Sequence, residues 1–333
     1  MKILAIESSC DDTSTAVLED GVVRANVVLS QDELHRPYGG VVPELASRSH
    51  MRAILPLVDT ALERANTSLE EIEAVVATYG PGLVGSLLVG LNTGKAIAFA
   101  QGVPFFGVNH LEGHLLSPLI EGNLSFPYVG LVVSGGHTNL YLAEDYGHYT
   151  HLGSTRDDAA GEAFDKVAKL MGLGFPGGKV IDELARQGDP QAITFPRARL
   201  KNSGNGRFDF SFSGIKTAVA LWLEEHPLDS DSARADLAAS FQEAVVDMLL
   251  ETSFAALEAV GCRHLAIAGG VAANSRLRAR AAALSEEHNV QVVIPPMRYC
   301  TDNAAMIGFA GWRHLIQGER HDLDLNAVAD LPL

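Results

Sequence analysis

Cysteine is scarce in this sequence. The 333-residue chain has three, Cys10, Cys262 and Cys300. The number is odd and no two are spaced as CxxC, so a disulfide framework is excluded and free thiols in a reducing compartment are expected. Long apolar runs are lacking too. The best stretch, Leu83 to Ala100, is interrupted by Asn92, Lys95 and several glycines and starts from a Gly-Pro-Gly turn. A buried helix fits it better than a membrane span. The N-terminus offers only a short apolar run before Glu7, Asp11 and Asp12, too short for a secretory signal. A cytoplasmic protein without a membrane partner is expected. Positive charge is the third shortage: 25 Lys and Arg stand against 41 Asp and Glu, a net charge of −16. Such a chain repels phosphate backbones at long range. A nucleic-acid substrate would therefore require a local basic patch or a basic partner.

Hydrophobic residues make up 47% and charged residues 20%, as in an ordinary globular protein. The length suits two domains, each with its own core. Lys2 to Ile6 reads as a strand, Glu7 to Thr13 as a turn and Ser14 to Leu18 as a second strand. Asp20-Gly21 reads as a hairpin turn and Val22 to Leu29 as a third strand. Val41 to Ala65 has its apolar residues at helical spacing. Ala74 to Thr78 is a strand that leads through Gly80-Pro81-Gly82 into a helix. The plan restarts near Tyr128, with strand Val129 to Val133, turn Ser134 to Thr138 and strand Asn139 to Ala143. A later strand, His264 to Ala268, enters a glycine turn and a helix. Ala16 to Asp20 and Leu140 to Asp145 end the two copies alike. The pattern points to an internal duplication. Asp229 to Val260 reads as one long amphipathic helix or a pair, with Ser232 as a cap.

His110-Leu111-Glu112-Gly113-His114 is the sharpest chemical signal. Two His at i and i+4 share a helix face and can share a metal. Such a pair also arises by chance in a chain with 12 His. It is not the zinc-protease motif HExxH: Glu112 sits about 200° round the helix from His110 and points away. Asp302, at a predicted strand-end loop, is the candidate third ligand. Two imidazoles and a carboxylate suit iron or zinc. The glycine turns Ser134-Gly135-Gly136 and Gly269-Gly270 offer unobstructed N–H groups for phosphate or carboxylate. Asp11, Asp182 and Pro176-Gly177-Gly178 add polar turns. A lone glycine turn is ordinarily just a bend. Together, in two half-copies, these turns suggest a nucleotide held in a cleft between two lobes. The most basic stretch holds Arg197, Arg199, Lys201 and Arg207, followed by Phe208, Phe210 and Phe212. It reads either as a solvated loop or as a nucleic-acid contact, with cations on phosphate and exposed aromatics on bases. A second group, Arg276, Arg278 and Arg280, spreads over different faces of a helix and is the weaker candidate.

Taken in order, nine segments resemble one family. They are Glu7 to Thr13, Gly80-Pro81-Gly82, His110 to His114, Val133 to Thr138, Gly161 to Lys166, Pro176-Gly177-Gly178, Phe212 to Thr217, Gly269 to Asn274 and Cys300 to Asn303. The set is similar to the TsaD (Gcp or YgjD) family, over residue 3 to about 315. The resemblance implies an α/β chain of the ASKHA (actin, sugar kinase and Hsp70-like) fold, two-lobed, with duplicated ribonuclease-H-like domains. The lobes are expected at 1–108 plus 300–333 and at 109–299, with the active site in the cleft between them. It implies transfer of threonylcarbamoyl from threonylcarbamoyl-AMP to N6 of adenosine 37 in tRNAs reading ANN codons. It implies the metal ligands His110, His114 and Asp302, with Fe(2+) favoured over Zn(2+). It places the substrate on Val132, Val133, Ser134, Gly135, Gly136, Asp165, Gly178, Asp182 and Asn274. TsaB and TsaE are the implied protein partners. Archaeal relatives carry a Tyr ligand just before the Val-Ser-Gly-Gly turn; this chain has Val132 there, so that ligand is absent. Asp11 is the choice for the general base. An ATP-dependent small-molecule kinase of the same fold is the alternative, but a kinase has no need of the two His. A metallopeptidase is disfavoured by the Glu112 spacing. A non-catalytic paralogue would lack the His pair.

Overall fold

The computed structural model of the chain describes residues 1–198, 200 and 208–333. The strands run, in chain order, β1 (Lys2–Glu7), β2 (Asp12–Glu19), β3 (Val22–Ser30), β4 (Ala74–Gly80), β5 (Phe105–Asn109), β6 (Tyr128–Val133), β7 (Thr138–Asp145), β8 (His148–Ser154), β9 (His264–Ala268) and β10 (Gln291–Val293). The helices are α1 (Asp32–His35), α2 (Pro43–Arg64), α3 (Val84–Gln101), α4 (His110–Leu116), α5 (Ala160–Leu170), α6 (Gly177–Ala185), α7 (Ser213–Glu225), α8 (Asp231–Val260), α9 (Ser275–His288) and α10 (Ala304–Ile316).

The chain divides into two compact units, Met1–Glu121 with Pro295–Leu333, and Gly122–Ile294. The division falls later than 108/109 and earlier than 299/300. In consequence α4 and Asp302 belong to the same unit. Each unit is built on a five-stranded sheet, ordered β3-β2-β1-β4-β5 in the first and β8-β7-β6-β9-β10 in the second. In the first, β1, β2 and β3 pair antiparallel while β4 and β5 add in parallel. The second repeats this mix with β6, β7 and β8, then β9 and β10. The same order and the same alternation twice over are the duplication expected from the two strand–turn–strand segments.

The central strands are apolar because both faces of a parallel core strand are covered. Ile3 to Ile6 and all of β6 are buried. Asp20 and Gly21 both have positive φ, as the tight β2–β3 hairpin requires. In the first unit, Ile54, Leu57, Val58, Ala61 and Leu62 on one face of α2 join Leu4, Ile6, Val75 and Leu91 in a core. Full burial of each such side chain is worth about 1.5–3 kcal/mol. The apolar stretch from Leu83 to Ala100 is α3, and its glycines explain its place. A Cβ at Gly90 would lie 2.4 Å from Ser8 Oγ, and one at Gly94 would lie 3.1 Å from Ala77 Cβ. No described helix is long and apolar enough to cross a membrane.

Two expectations are corrected here. α8 is one continuous helix whose cap is Ser230, not Ser232: Ser230 Oγ accepts from Ala233 N. Phe208, Phe210 and Phe212 are buried, so they are not exposed stacking platforms. Backbone bonds from Phe208 N to Leu152 O and from Phe210 N to Ser154 O carry this segment alongside β8, which turns its side chains inward.

Candidate metal centre and glycine turns

α4 begins where β5 ends because Asn109 caps it. Its Oδ1 accepts from Leu111 N at 2.8 Å and Glu112 N at 3.4 Å, while its Nδ2 donates to the C-terminal tail at Pro332 O, 3.2 Å away. All seven residues of α4 are buried. Helical spacing then sends them in different directions. His110 and His114 share one face, their rings edge to face with centroids 4.7 Å apart. Gly113 lets α10 approach: a Cβ there would lie 2.8 Å from Ile307 Cδ1. Glu112 turns away from the His pair to His314, as its spacing predicts, with Oε1 3.0 Å from the imidazole Nε2.

Asp302 meets the two histidines from the turn before α10, which Asn303 caps by accepting from Met306 N. Asp302 Oδ1 lies 3.1 Å from His114 Nε2 and 3.6 Å from His110 Nε2. All three ligand atoms lie within 4.8 Å of one another. A zinc-type ion with bonds of ~2.0–2.2 Å spaces its donors ~3–3.5 Å apart, so the donor set fits a divalent cation. Among the described residues His114 Nδ1, which is buried, has no hydrogen-bond partner.

The electrostatics of this corner are dominated by buried carboxylates. Burial opposes protonation of His110, but Asp302 and Glu7 outweigh it and raise its pKa to about 9. His114 goes the other way, lowered by burial. Burial would raise the Glu7 pKa, yet the facing His110 lowers it on balance. Asp11 is raised by burial, with Asp302 adding to the effect. Asp12 is pushed up to about 8 by burial and by the charges of Asp302 and Asp11. Glu7 and Asp12 sat in the motif without a role assigned to them. The signal for Glu7 was legible: it is a charged residue that closes β1 directly behind the buried apolar run Ile3 to Ile6.

In the second unit, Val132 and Val133 are fully buried at the end of β6, which carries Ser134 to Gly136 out into the turn. Ser134 N donates to His137 O and Ser134 Oγ accepts from His137 N, which closes the turn. Among the described residues nothing lies within 4 Å of a Cβ added at Gly135, Gly136, Gly178 or Gly270, so these backbones face open space. Gly269 differs: its φ is +96° and an added Cβ would lie 2.3 Å from Val133 O. Asp165 Oδ1 accepts from Gly177 N at the start of α6. Asp182 Oδ1 accepts from both Ser275 N and Ser275 Oγ. Asn274 caps α9, its Oδ1 accepting from Leu277 N, and donates from Nδ2 to Gln242 Oε1. Its amide is therefore occupied at both ends.

Of the basic loop, Arg197 is described and is paired with Asp247 on α8 at 2.8 Å; Arg199, Lys201 and Arg207 lie outside the described residues. Arg276 is likewise paired with Glu243 and Arg278 donates to Ala272 O.

A family model described as TsaD, tRNA N6-adenosine threonylcarbamoyltransferase, matches residues 22–309. The chain is 55% identical over 329 residues to the tRNA N6-adenosine threonylcarbamoyltransferase of Anaeromyxobacter dehalogenans, covering 98% of each. It is 51% identical over 336 residues to that of Syntrophotalea carbinolica, covering 100% of this chain and 97% of the relative. Among solved structures, HypF in its phosphate- and nucleotide-bound form matches with TM-score 0.64 at 13% identity, over 96% of this chain and 56% of HypF. Component A of (R)-2-hydroxyglutaryl-CoA dehydratase from Acidaminococcus fermentans matches with TM-score 0.55 at 17% identity, over 95% of this chain and 99% of that one. The structural likeness carries the fold, which is of the ASKHA type.

Proposed function

This chain belongs to the TsaD family and is a tRNA-modifying N6-adenosine threonylcarbamoyltransferase; on that premise we propose that its donor is threonylcarbamoyl-AMP and its acceptor adenosine 37 of tRNAs reading ANN codons. The exocyclic N6 forms a bond to the carbamoyl carbon, the bond from that carbon to the phosphate oxygen breaks, N6 loses a proton, and AMP departs. A mixed anhydride with AMP has a good leaving group, so no covalent nucleophile on the protein is required. The observation that carries the reading is the convergence of His110, His114 and Asp302, because a kinase of the same fold has no use for it.

His110, His114 and Asp302 would hold one divalent cation; two imidazoles with one carboxylate suit Fe(2+) and Zn(2+) alike, and Fe(2+) is the choice that the family resemblance favours. Bound there, the ion supplies Lewis-acid polarisation of the donor's oxygens. The open backbone at Gly135, Gly136 and Gly178 leaves room for the donor's phosphate and ribose. Val132, Val133 and Ser134 shape the same turn, and Asp165, Asp182 and Asn274 hold its neighbouring helix starts in place. We assign Asp11 as the group that takes the N6 proton; burial, which raises its pKa above the ordinary carboxylate value, supports this choice. TsaB and TsaE are the protein partners of this reading, and a cytoplasmic location follows from the tRNA substrate.

The test is mass spectrometry of tRNA nucleosides after incubation of the chain with TsaB, TsaE, threonylcarbamoyl-AMP and unmodified tRNA. Threonylcarbamoyl on adenosine is expected, and a His110→Ala, His114→Ala double variant should form none. Product formation from ATP and a sugar or acid in place of the tRNA reaction would overturn the reading.

A further inference from the structure

The cation reading leaves open what holds His110 in a ligating pose, and the inference here rests on that reading. We propose that Glu7 is the positioning residue of the centre: its buried carboxylate accepts a hydrogen bond from His110 Nδ1 and so commits Nε2 of that ring to the cation.

Glu7 ends β1, behind four apolar core residues, and its side chain has no exposed surface. A buried carboxylate is costly unless its oxygens are hydrogen-bonded. Both are. Oε1 accepts from Ser9 N at 2.5 Å, and Oε2 accepts from Thr78 Oγ1 at 2.6 Å. The remaining approach to Oε2 is taken by His110 Nδ1 at 3.1 Å. Its ion-pair partner among the described residues is His110. A packing role alone would not put an acid at this point of a core strand.

The geometry decides the tautomer. With a cation between Nε2 and Asp302 Oδ1, 3.6 Å apart, Nε2 gives its lone pair to the cation and the ring's one proton sits on Nδ1, where it is donated to Glu7. With the proton on Nε2, the Nδ1 lone pair would face a carboxylate oxygen at 3.1 Å, which is repulsive. Ser9 Oγ, also 3.1 Å from Nδ1, can accept or donate and does not choose. His114 has no such anchor. Its Nδ1 is buried without a partner among the described residues, and Asp302 on Nε2 together with packing sets its ring. The pair is thus asymmetric: Asp302 faces both rings, but among the described residues only His110 has a second carboxylate, Glu7, on its other nitrogen. Carboxylates that hold a ligating imidazole in this way orient the ring and increase its basicity.

The experiment is competition of the metal-free full-length chain against a chromogenic chelator, with Zn(2+) alone and with Fe(2+) alone under argon. Glu7→Gln should lower the affinity about 10–100-fold, the usual effect of losing such a support, with the far-ultraviolet circular dichroism unchanged. In the Zn(2+)-loaded wild type, histidine 15N couplings should show His110 bound through Nε2 with Nδ1 protonated. Wild-type affinity in Glu7→Gln, or His110 bound through Nδ1, overturns the proposal. Should Glu7→Gln not fold, Thr78→Val removes the hydroxyl that steadies Oε2 and should weaken binding in the same direction; unchanged affinity there overturns it equally. Failure of the underlying reading looks different. In that case the His110→Ala, His114→Ala double variant would bind Zn(2+) as the wild type does.

Discussion

Glu112, two residues from each histidine of α4, sets both carboxylate oxygens 3.0 Å from Nε2 of His314 on α10. His314 in turn stacks on Phe106 and bonds Glu319 through Nδ1. The motif's central acid is thus a tie between two helices. Glu112→Ala should destabilise the chain by about 1 kcal/mol, because it leaves Nε2 of the half-buried His314 without its partner. Glu112→Gln, which keeps an acceptor, should cost less and should still bind one metal ion. Urea unfolding and chelator competition check this. A peptidase-like base would behave oppositely, with Glu112→Gln stable and its activity reduced by about 10²–10⁴.

Gly136 and Gly269 separate ligand contact from backbone strain. An added Cβ at Gly136 meets nothing within 4 Å. Gly136→Val should therefore leave stability within about 0.5 kcal/mol and weaken binding of an adenine nucleotide. Gly269→Ala should cost at least about 1–3 kcal/mol, because an L residue is strained at φ +96° and its Cβ strikes Val133 O. Calorimetry and thermal melts read the two effects; unchanged nucleotide affinity in Gly136→Val would make that turn purely structural. Asn274→Ala should also weaken the nucleotide. It removes a helix cap worth about 1 kcal/mol as well, so it discriminates less sharply.

Asp158 receives Lys166 Nζ from α5 at 2.7 Å and Lys216 Nζ from α7 at 2.5 Å. Burial would raise its carboxyl pKa, but the two ammonium groups outweigh that and hold it below the ordinary value. A pKa depressed on folding contributes stability that is present above the unfolded value and lost as pH falls through the folded one. Asp158→Asn should therefore be less stable at neutral pH, by on the order of 1 kcal/mol because the lysines are partly exposed to screening solvent. The gap should hold from pH 7 to about pH 5 and shrink in stronger acid. Urea midpoints across pH test it; a gap that grew in acid would have the wrong sign.

The net charge of −16 requires tRNA affinity to come from a local patch or from a partner. Changing Arg199, Lys201 and Arg207 to Ala leaves the Arg197–Asp247 pair in place. The salt dependence of tRNA binding should flatten by about 2 in log–log slope if each residue meets one phosphate. Binding of the adenylate donor should not change. The chain alone should bind tRNA more weakly at physiological salt than with TsaB present. A loop variant that keeps the full slope would place the contact elsewhere.

Local chemistry carried much of this protein into its sequence. The hairpin at Asp20-Gly21, the buried strands, the glycine-bearing helix after Gly80-Pro81-Gly82 and the His110–His114 pair are set by neighbours a few residues apart. So is the direction of Glu112, which follows from helix geometry alone. Burial and pairing across the chain were another matter. Phe208, Phe210 and Phe212 looked like a basic loop's aromatic partners, yet backbone bonds to β8 turn them into the core. Arg276 and Arg197 read as free cations until α8 placed Glu243 and Asp247 beside them. Nothing within ten residues of Glu7 foretells that His110, 103 positions later, will meet its Oε2. Periodicity and turn chemistry are short-range properties of the chain, and the sequence determines them directly. Which acid meets which base, and which ring nitrogen is left for a metal, depends on how β1, α4 and the turn before α10 pack, and only the tertiary structure decides that.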